Sequence, residues 1–249
     1  MTVIPSGVEE SLAISETSRD VSTSVDMTKS LFASLNVFRD IPSRSAALNM
    51  AIDEALLENA TEPTIRFYKW NHPALSFGYF GKFADVASHV PERDLVRRWT
   101  GGGIVFHGDD LTYSIVIPEA APVFSESPMS IYEKIHGALR AALVANGQSA
   151  QLAANGAPKI SDSCFANPVR ADVLSNGQKI AGAAQRRTRH GLLQQGSIQG
   201  VDLANKFADQ FANELCSECY HRTLDEHLIS RAHEIAEQKY GAASWLQRR

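Results

Sequence analysis

The chain has 249 residues, 44% hydrophobic and 21% charged, with a formal net charge of −4. That is enough for a substantial hydrophobic core, and it supplies no global basic field to draw the protein onto nucleic acid. No apolar run reaches the ~18 residues that span a bilayer, and three cysteines at irregular spacing make no disulfide framework.

Residues 1–30 are rich in Ser, Thr, Val and Glu, without sustained periodicity. They lack a basic start and a continuous apolar stretch, so they are expected to be a disordered tail rather than a secretory signal. A cytoplasmic protein follows, with its folded domain over residues 31–249.

LFASLNVFRD (31–40) is predicted as a strand, and Ser43 to Asn59 as a helix capped by Ser43 or Ser45. TIRFYKW (64–70) and ALSFGYF read as strands separated by the Asn71-His72-Pro73 turn. IVFH (104–107) and LTYSIVIP (111–118) are expected to pair as a hairpin. An amphipathic helix over 130–146 ends at Gly147. A second hairpin, 169–174 with 178–186, turns at Asn176-Gly177. LLQQGSIQG is a further strand, and the last fifty residues are expected to hold two helices. Strands arriving in hairpins, with helices between groups of strands, indicate an α+β domain with antiparallel or mixed sheets.

Three segments carry the chemistry. In Arg97-Arg98-Trp99-Thr100-Gly101-Gly102-Gly103, consecutive glycines expose backbone N–H groups, and the two arginines are positioned to neutralise an anion brought there. No Gly-Lys-Ser/Thr ends the run, so it is not a phosphate-binding P-loop, and it does not fit the dinucleotide fingerprint. Cys164-Phe165-Ala166-Asn167-Pro168 places a cysteine in a loop that opens a strand, exposed and reactive or simply buried. In Asn176 to Arg187, simple alternation puts Lys179 and Ala181 on one face and Ile180 and Gly182 on the other. Small residues around the lysine leave room for a slender ligand. Cys216 and Cys219 form a lone C-x-x-C with no second ligand pair in view.

In this order, RR-x-x-GGG-x-x-x-H, a strand containing LTYS, and G-x-K-x-x-G-x-A-Q-R resemble the catalytic domain of the lipoate–protein ligase A and octanoyltransferase superfamily. The helix NMAIDEALLE resembles that family's first helix, and the resemblance runs from about Leu35 to Trp245. It implies two unequal mixed or antiparallel sheets flanked by helices, as in the biotin and lipoate ligase catalytic domain. It implies an octanoyl or lipoyl group in a tunnel by the glycine hairpin, with Arg98, Gly101, Gly102, Gly103, His107, Gly182 and Ala184 at the substrate and Lys179 at the acyl carbonyl. The implied partners are lipoyl domains of 2-oxoacid dehydrogenases or the glycine-cleavage H protein, and acyl carrier protein.

Two reactions remain open. The pattern C-F-x-x-P around Cys164 resembles the nucleophile region of cysteine octanoyltransferases, and the chain ends soon after Trp245, without the accessory domain of large ligases. That branch needs no cofactor: Cys164 takes the acyl group from acyl carrier protein as a thioester, Lys179 favours the thiolate, and glycine N–H groups stabilise the oxyanion. The intact GGG and the Arg170-Ala171-Asp172 segment resemble ATP- and magnesium-dependent ligases. An amidotransferase moving acyl groups between carriers, and a degenerate homologue that only binds an acylated carrier, are further alternatives.

Overall fold

The computed structural model describes residues 30–156 and 164–248, and the expected N-terminal tail lies outside them. The chain runs β1 (Leu35–Arg44), α1 (Ala46–Asn59), β2 (Thr64–Trp70), β3 (Ala74–Phe77), β4 (Asp94–Arg97), β5 (Val105–His107), β6 (Leu111–Pro118) and α2 (Pro128–Ala145). It continues through β7 (Gln151–Leu152), β8 (Val173–Ser175), β9 (Gln178–Thr188), β10 (Gly191–Ile198), α3 (Phe207–Leu215), β11 (Cys219–Arg222), α4 (Glu226–Ile235) and the short α5 (Ala243–Leu246).

The strands form two unequal sheets, as expected. The larger has the order β11-β1-β2-β6-β10-β9-β8-β7, and the smaller β4-β3-β5. β1 is parallel to both of its neighbours, whereas β2, β6, β10 and β9 pair antiparallel. The larger sheet is therefore mixed.

The sheets are linked where a hairpin was expected. β5 pairs with β3, and β6 pairs with β2 and β10, so IVFH and LTYSIVIP belong to different sheets. The Asp110 carboxylate explains the switch. It accepts hydrogen bonds from the Gly108 N–H at 3.0 Å and from the His107 ring at 2.8 Å, closing a tight turn that redirects the chain. The C-terminal segment also differs from two plain helices, because the four-residue β11 lies between α3 and α4 and extends the sheet beside β1. The second hairpin is present, and Asn176 and Gly177 have φ of 50° and 78°, as a type I′ turn requires.

Two apolar layers flank the large sheet. Ile131, Ile135, Leu139 and Leu143 of α2 pack with Phe207, Phe211 and Leu215 of α3. On the other side, Met50, Ile52, Leu56 and Leu57 of α1 pack with Ala232 and Ile235 of α4. Each such fully buried aliphatic side chain contributes roughly 1.5–3 kcal/mol. The α1 helix is buried nearly all round, including Asn49, Asp53 and Glu54. Ser45 caps its start, accepting from Leu48 N–H.

Candidate active site

The two sheets meet over a narrow cavity. Gly182, Ala184 and Gly196 of β9 and β10 form one wall, and Ser76, Arg98 and His107 of the small sheet the other. Met50, Tyr68 and Trp70 form its apolar floor. The cavity meets a wider outer groove, and both are lined by Gly102, Ala183 and Ala184. Such a space, mostly apolar with a few convergent polar groups, suits a small slender ligand.

The small-sheet wall is held by a chain of buried polar groups. His107 sits between Asp110, 2.8 Å from Nδ1, and Ser76 Oγ, 2.7 Å from Nε2. Its ring stacks on Trp70 at 4.1 Å. Burial pushes the His107 pKa down despite the carboxylate beside it. The neutral ring then donates from Nδ1 to Asp110 and accepts at Nε2 from Ser76. Burial alone would raise the Asp110 pKa, but hydrogen bonds from His107, Ser197 and Gly108 hold it below the usual carboxylate value. Arg98 Nη1 donates to Ser76 Oγ at 2.6 Å. This differs from a nucleophilic Ser–His–Asp triad, because a guanidinium occupies a lone pair of the serine and Ser76 is fully buried.

The arginines are placed differently from the expected anion clamp. Arg97 points away from the cavity and donates to the carbonyls of Tyr79, Gly81, Trp245, Leu246 and Arg248. It fastens the C-terminal turn to the small sheet. Arg98 lines the cavity, and its Nη2 donates to the carbonyls of Gly101 and Gly103 at 3.1 and 2.8 Å, so it shapes the glycine loop. Gly102 has φ of 86°, and a Cβ there would lie 3.3 Å from Arg98 Nη2 and 3.4 Å from Ala184 Cβ. A glycine is the natural residue at that position.

On the large-sheet wall, Lys179 is buried and forms an ion pair with Asp172, Nζ to Oδ2 2.8 Å. Its stem crosses Gly182, where a Cβ would fall 2.3 Å from Lys179 Cε. Lys179 and Gly182 thus share a face, contrary to simple alternation. Val173 pairs with Ala181 and Leu174 with Lys179, so β9 advances two residues while β8 advances one. The bulge at Ile180 resets the faces.

Cys164 begins a single 3-10 turn, Cys164–Ala166. Its side chain lies outside the described part of the structure, as do residues 157–163. Its neighbours locate the turn. Phe165 lines the inner cavity with its ring centroid 5.4 Å from Lys179 Nζ, and Asn167 and Pro168 line the outer groove. Cys164 thus immediately precedes a residue of the cavity wall. Ser76, Asp110, Tyr132 and Gln195 were not singled out from sequence. The only signal among them was Asp110 three residues after His107.

Residues 45–223 match the lipoyl protein ligase A/B catalytic domain. The chain belongs to that family. Among curated relatives of this lipoyl ligase-family chain, the octanoyltransferase LipM of Oceanobacillus iheyensis is 39% identical over 170 residues, covering 65% of this chain and 62% of its own. The octanoyltransferase LipM of Kyrpidia tusciae is 36% identical over 203 residues, 75% and 74% of the two chains. The match thus spans 62% of the length of the first relative. Among solved structures, lipoate-protein ligase A bound with ATP aligns with a TM-score of 0.68 at 20% identity, over 87% of this chain and 98% of that one. A bipartite lipoate protein ligase from Thermoplasma acidophilum aligns with a TM-score of 0.62 at 20% identity, over 87% and 96%. These two establish the fold.

Proposed function

We propose that this protein transfers an octanoyl group from acyl carrier protein to a lysine of a lipoyl carrier domain, through a thioester on Cys164. The observation that carries the reading is the Cys164–Ala166 turn, whose Phe165 lines the apolar cavity beside Lys179 and which is followed by Asn167 and Pro168 in the groove. The identity to octanoyltransferases over most of the chain supports the same choice.

The acyl chain lies in the cavity, with its carbonyl at the junction. The Cys164 thiolate attacks the donor thioester, and the carrier thiol leaves with the proton given up by Cys164. The amine of the target lysine, entering along the groove, then attacks the enzyme thioester. An amide forms, the C–S bond breaks, and the Cys164 sulfur leaves as the thiol with the proton that the amine gives up. Lys179 lies within reach of the developing oxyanion, and Arg98 with Gly101–Gly103, His107, Gly182 and Ala184 shapes the acyl site. Neither step uses ATP. The acceptors are lipoyl domains of 2-oxoacid dehydrogenases or the glycine-cleavage H protein, and the reaction takes place in the cytoplasm. No helix among the described residues is long and apolar enough to cross a membrane.

The test compares octanoyl-acyl carrier protein with octanoate plus ATP and magnesium, using a purified lipoyl domain as acceptor and intact mass to detect acyl-enzyme. The carrier-bound donor is expected to work and to leave an octanoyl adduct that disappears in Cys164→Ser. ATP-dependent transfer by Cys164→Ser would overturn the thioester route in favour of a ligase.

A further inference from the structure

Helix α2 contributes to the site although none of its residues lines the cavity or the groove. Tyr132 and His136 lie one turn apart on its inner face, both buried, with ring centroids 4.1 Å apart. The Tyr132 hydroxyl donates to Asp172 Oδ1 at 2.6 Å, and the other carboxylate oxygen accepts from Lys179 at 2.8 Å and from Val169 N–H at 2.7 Å. The same hydroxyl accepts from Ala183 N–H at 3.1 Å. The pairing of β9 with β8 ends at Ala181, so on that side Ala183 has no strand partner, and the tyrosine takes the place of one. Ala183 lines both the cavity and the groove.

His136 acts on the preceding residue. Its Nδ1 lies 2.7 Å from Ala171 O, a pure acceptor, so Nδ1 carries the proton. Ala171 has φ of 65°, a left-handed conformation that is strained for a non-glycine residue. The ring thus secures a strained turn whose next side chain is Asp172. Ile131, Ile135 and Leu139 lock α2 into the core, so the two rings are held rigidly.

We propose that Tyr132 and His136 are positioning residues: they fix the Ala171–Asp172 turn so that Asp172 holds the Lys179 ammonium, and Ala183 its backbone, at the mouth of the acyl cavity. The role in catalysis rests on the acyl-transfer reading above. If Tyr132 acts through Asp172, its loss is not additive with loss of that carboxylate. If it merely supports the fold, the two losses multiply.

The experiment is a double-mutant cycle of Tyr132→Phe and Asp172→Asn in the full chain, with octanoyl-acyl carrier protein as donor. Tyr132→Phe should lower kcat about 10- to 100-fold and leave KM for the donor within about threefold. The double variant should lose much less than the product of the two single losses, and fully multiplied losses overturn the proposal. A second readout needs no substrate. In Tyr132→Phe, amide exchange at Ala183 should accelerate by at least about tenfold, while the β9–β10 ladder elsewhere keeps its protection. Unchanged exchange at Ala183 overturns the linkage whatever the enzyme does. A wild-type protein with no transfer activity, but with the exchange response intact, refutes the acyl-transfer reading and the catalytic role while upholding the linkage. Should Tyr132→Phe fail to fold, His136→Asn keeps a donor near the Nδ1 position and His136→Leu does not. Transfer should be largely retained in the first and lost in the second, and equal loss in both overturns the proposal.

Discussion

The two walls of the site each bury a cation, and they use it in opposite ways. On the small-sheet wall, a hydroxyl and two loop carbonyls grip Arg98, so the cation organises backbone. On the large-sheet wall, a carboxylate that is itself held by Tyr132 and by a backbone N–H grips Lys179, so the backbone and a helix organise the cation. One wall builds the container, and the other aims a charge at its mouth. Damage to the first should therefore appear mainly as lost acyl binding, and damage to the second as lost turnover.

The largest effects should come from glycines packed against each cation. A Gly182→Val side chain would start inside the Lys179 stem, so transfer should fall by more than ~100-fold. Gly102→Val meets Arg98 and Ala184 and forces a positive φ on a β-branched residue. It should abolish acyl binding, measured by titration with octanoate, while cooperative unfolding persists. Gly101→Ala has open space for its Cβ and should behave as wild type. Normal turnover in Gly182→Val would remove Lys179 from the mechanism.

A subtler change tests the container alone. In Arg98→Lys, one ammonium cannot reproduce the planar fork that reaches Ser76, Gly101 and Gly103 together. Steady-state kinetics should show the donor KM rising by roughly tenfold, with kcat less affected. A loss confined to kcat would mean that Arg98 acts on the reacting carbonyl instead.

How far these walls were legible in the sequence follows from the range of the interactions. The Asn176-Gly177 turn is a local signal, and both residues take the positive φ that its pattern predicts. The faces of β9 do not follow from alternation, because the bulge at Ile180 depends on the partner strand, which periodicity along one strand does not contain. IVFH and LTYSIVIP looked like a hairpin because both are β-prone and close together. Their separation depends on Asp110 satisfying the turn and on β3 offering an edge. Tyr132 and Asp172 are 40 residues apart, so no spacing rule connects them. The helix α1, by contrast, was legible from its cap at Ser45 and its three-to-four spacing, although its burial nearly all round was not.

The second layer behind the large-sheet wall should also respond to acid. Burial lowers the His136 pKa from 6.5 to about 4 in the folded protein, outweighing the Ala171 carbonyl and Asp172. Above pH 6.5 the ring is neutral in both states, and its contribution is fully present. Between the two values the unfolded chain binds a proton that the native ring refuses, so stability falls as the pH drops, by up to ~1.4 kcal/mol per pH unit. Below about pH 4 both states are protonated and this loss stops. Denaturant melts across that window should show the slope in wild type and a shallower one in His136→Asn. Equal slopes would show that other groups dominate.

The smallest effects are expected at the two cysteines remote from the site, and there the prediction is sharpest about what should not happen. Cys216 is fully buried at the end of α3, with its sulfur hydrogen-bonded to the N–H and C=O of Glu218, and Cys219 donates to the Cys216 carbonyl. Burial pushes the Cys216 thiol up, and burial with the neighbouring Cys216 and Asp209 pushes Cys219 to about 11. Both are thiols at neutral pH, and the thiolate is the reactive form. Limiting iodoacetamide near pH 7.5 should therefore modify Cys164 first, and octanoylation should protect it. Cys219→Ser should leave both turnover and stability unchanged. Cys216→Ser places a hydroxyl in an apolar cluster and should cost about 1–2 kcal/mol of stability, again without slowing transfer. A loss of turnover in Cys219→Ser would bring a second thiol into the reaction, and the single-cysteine mechanism could not accommodate it.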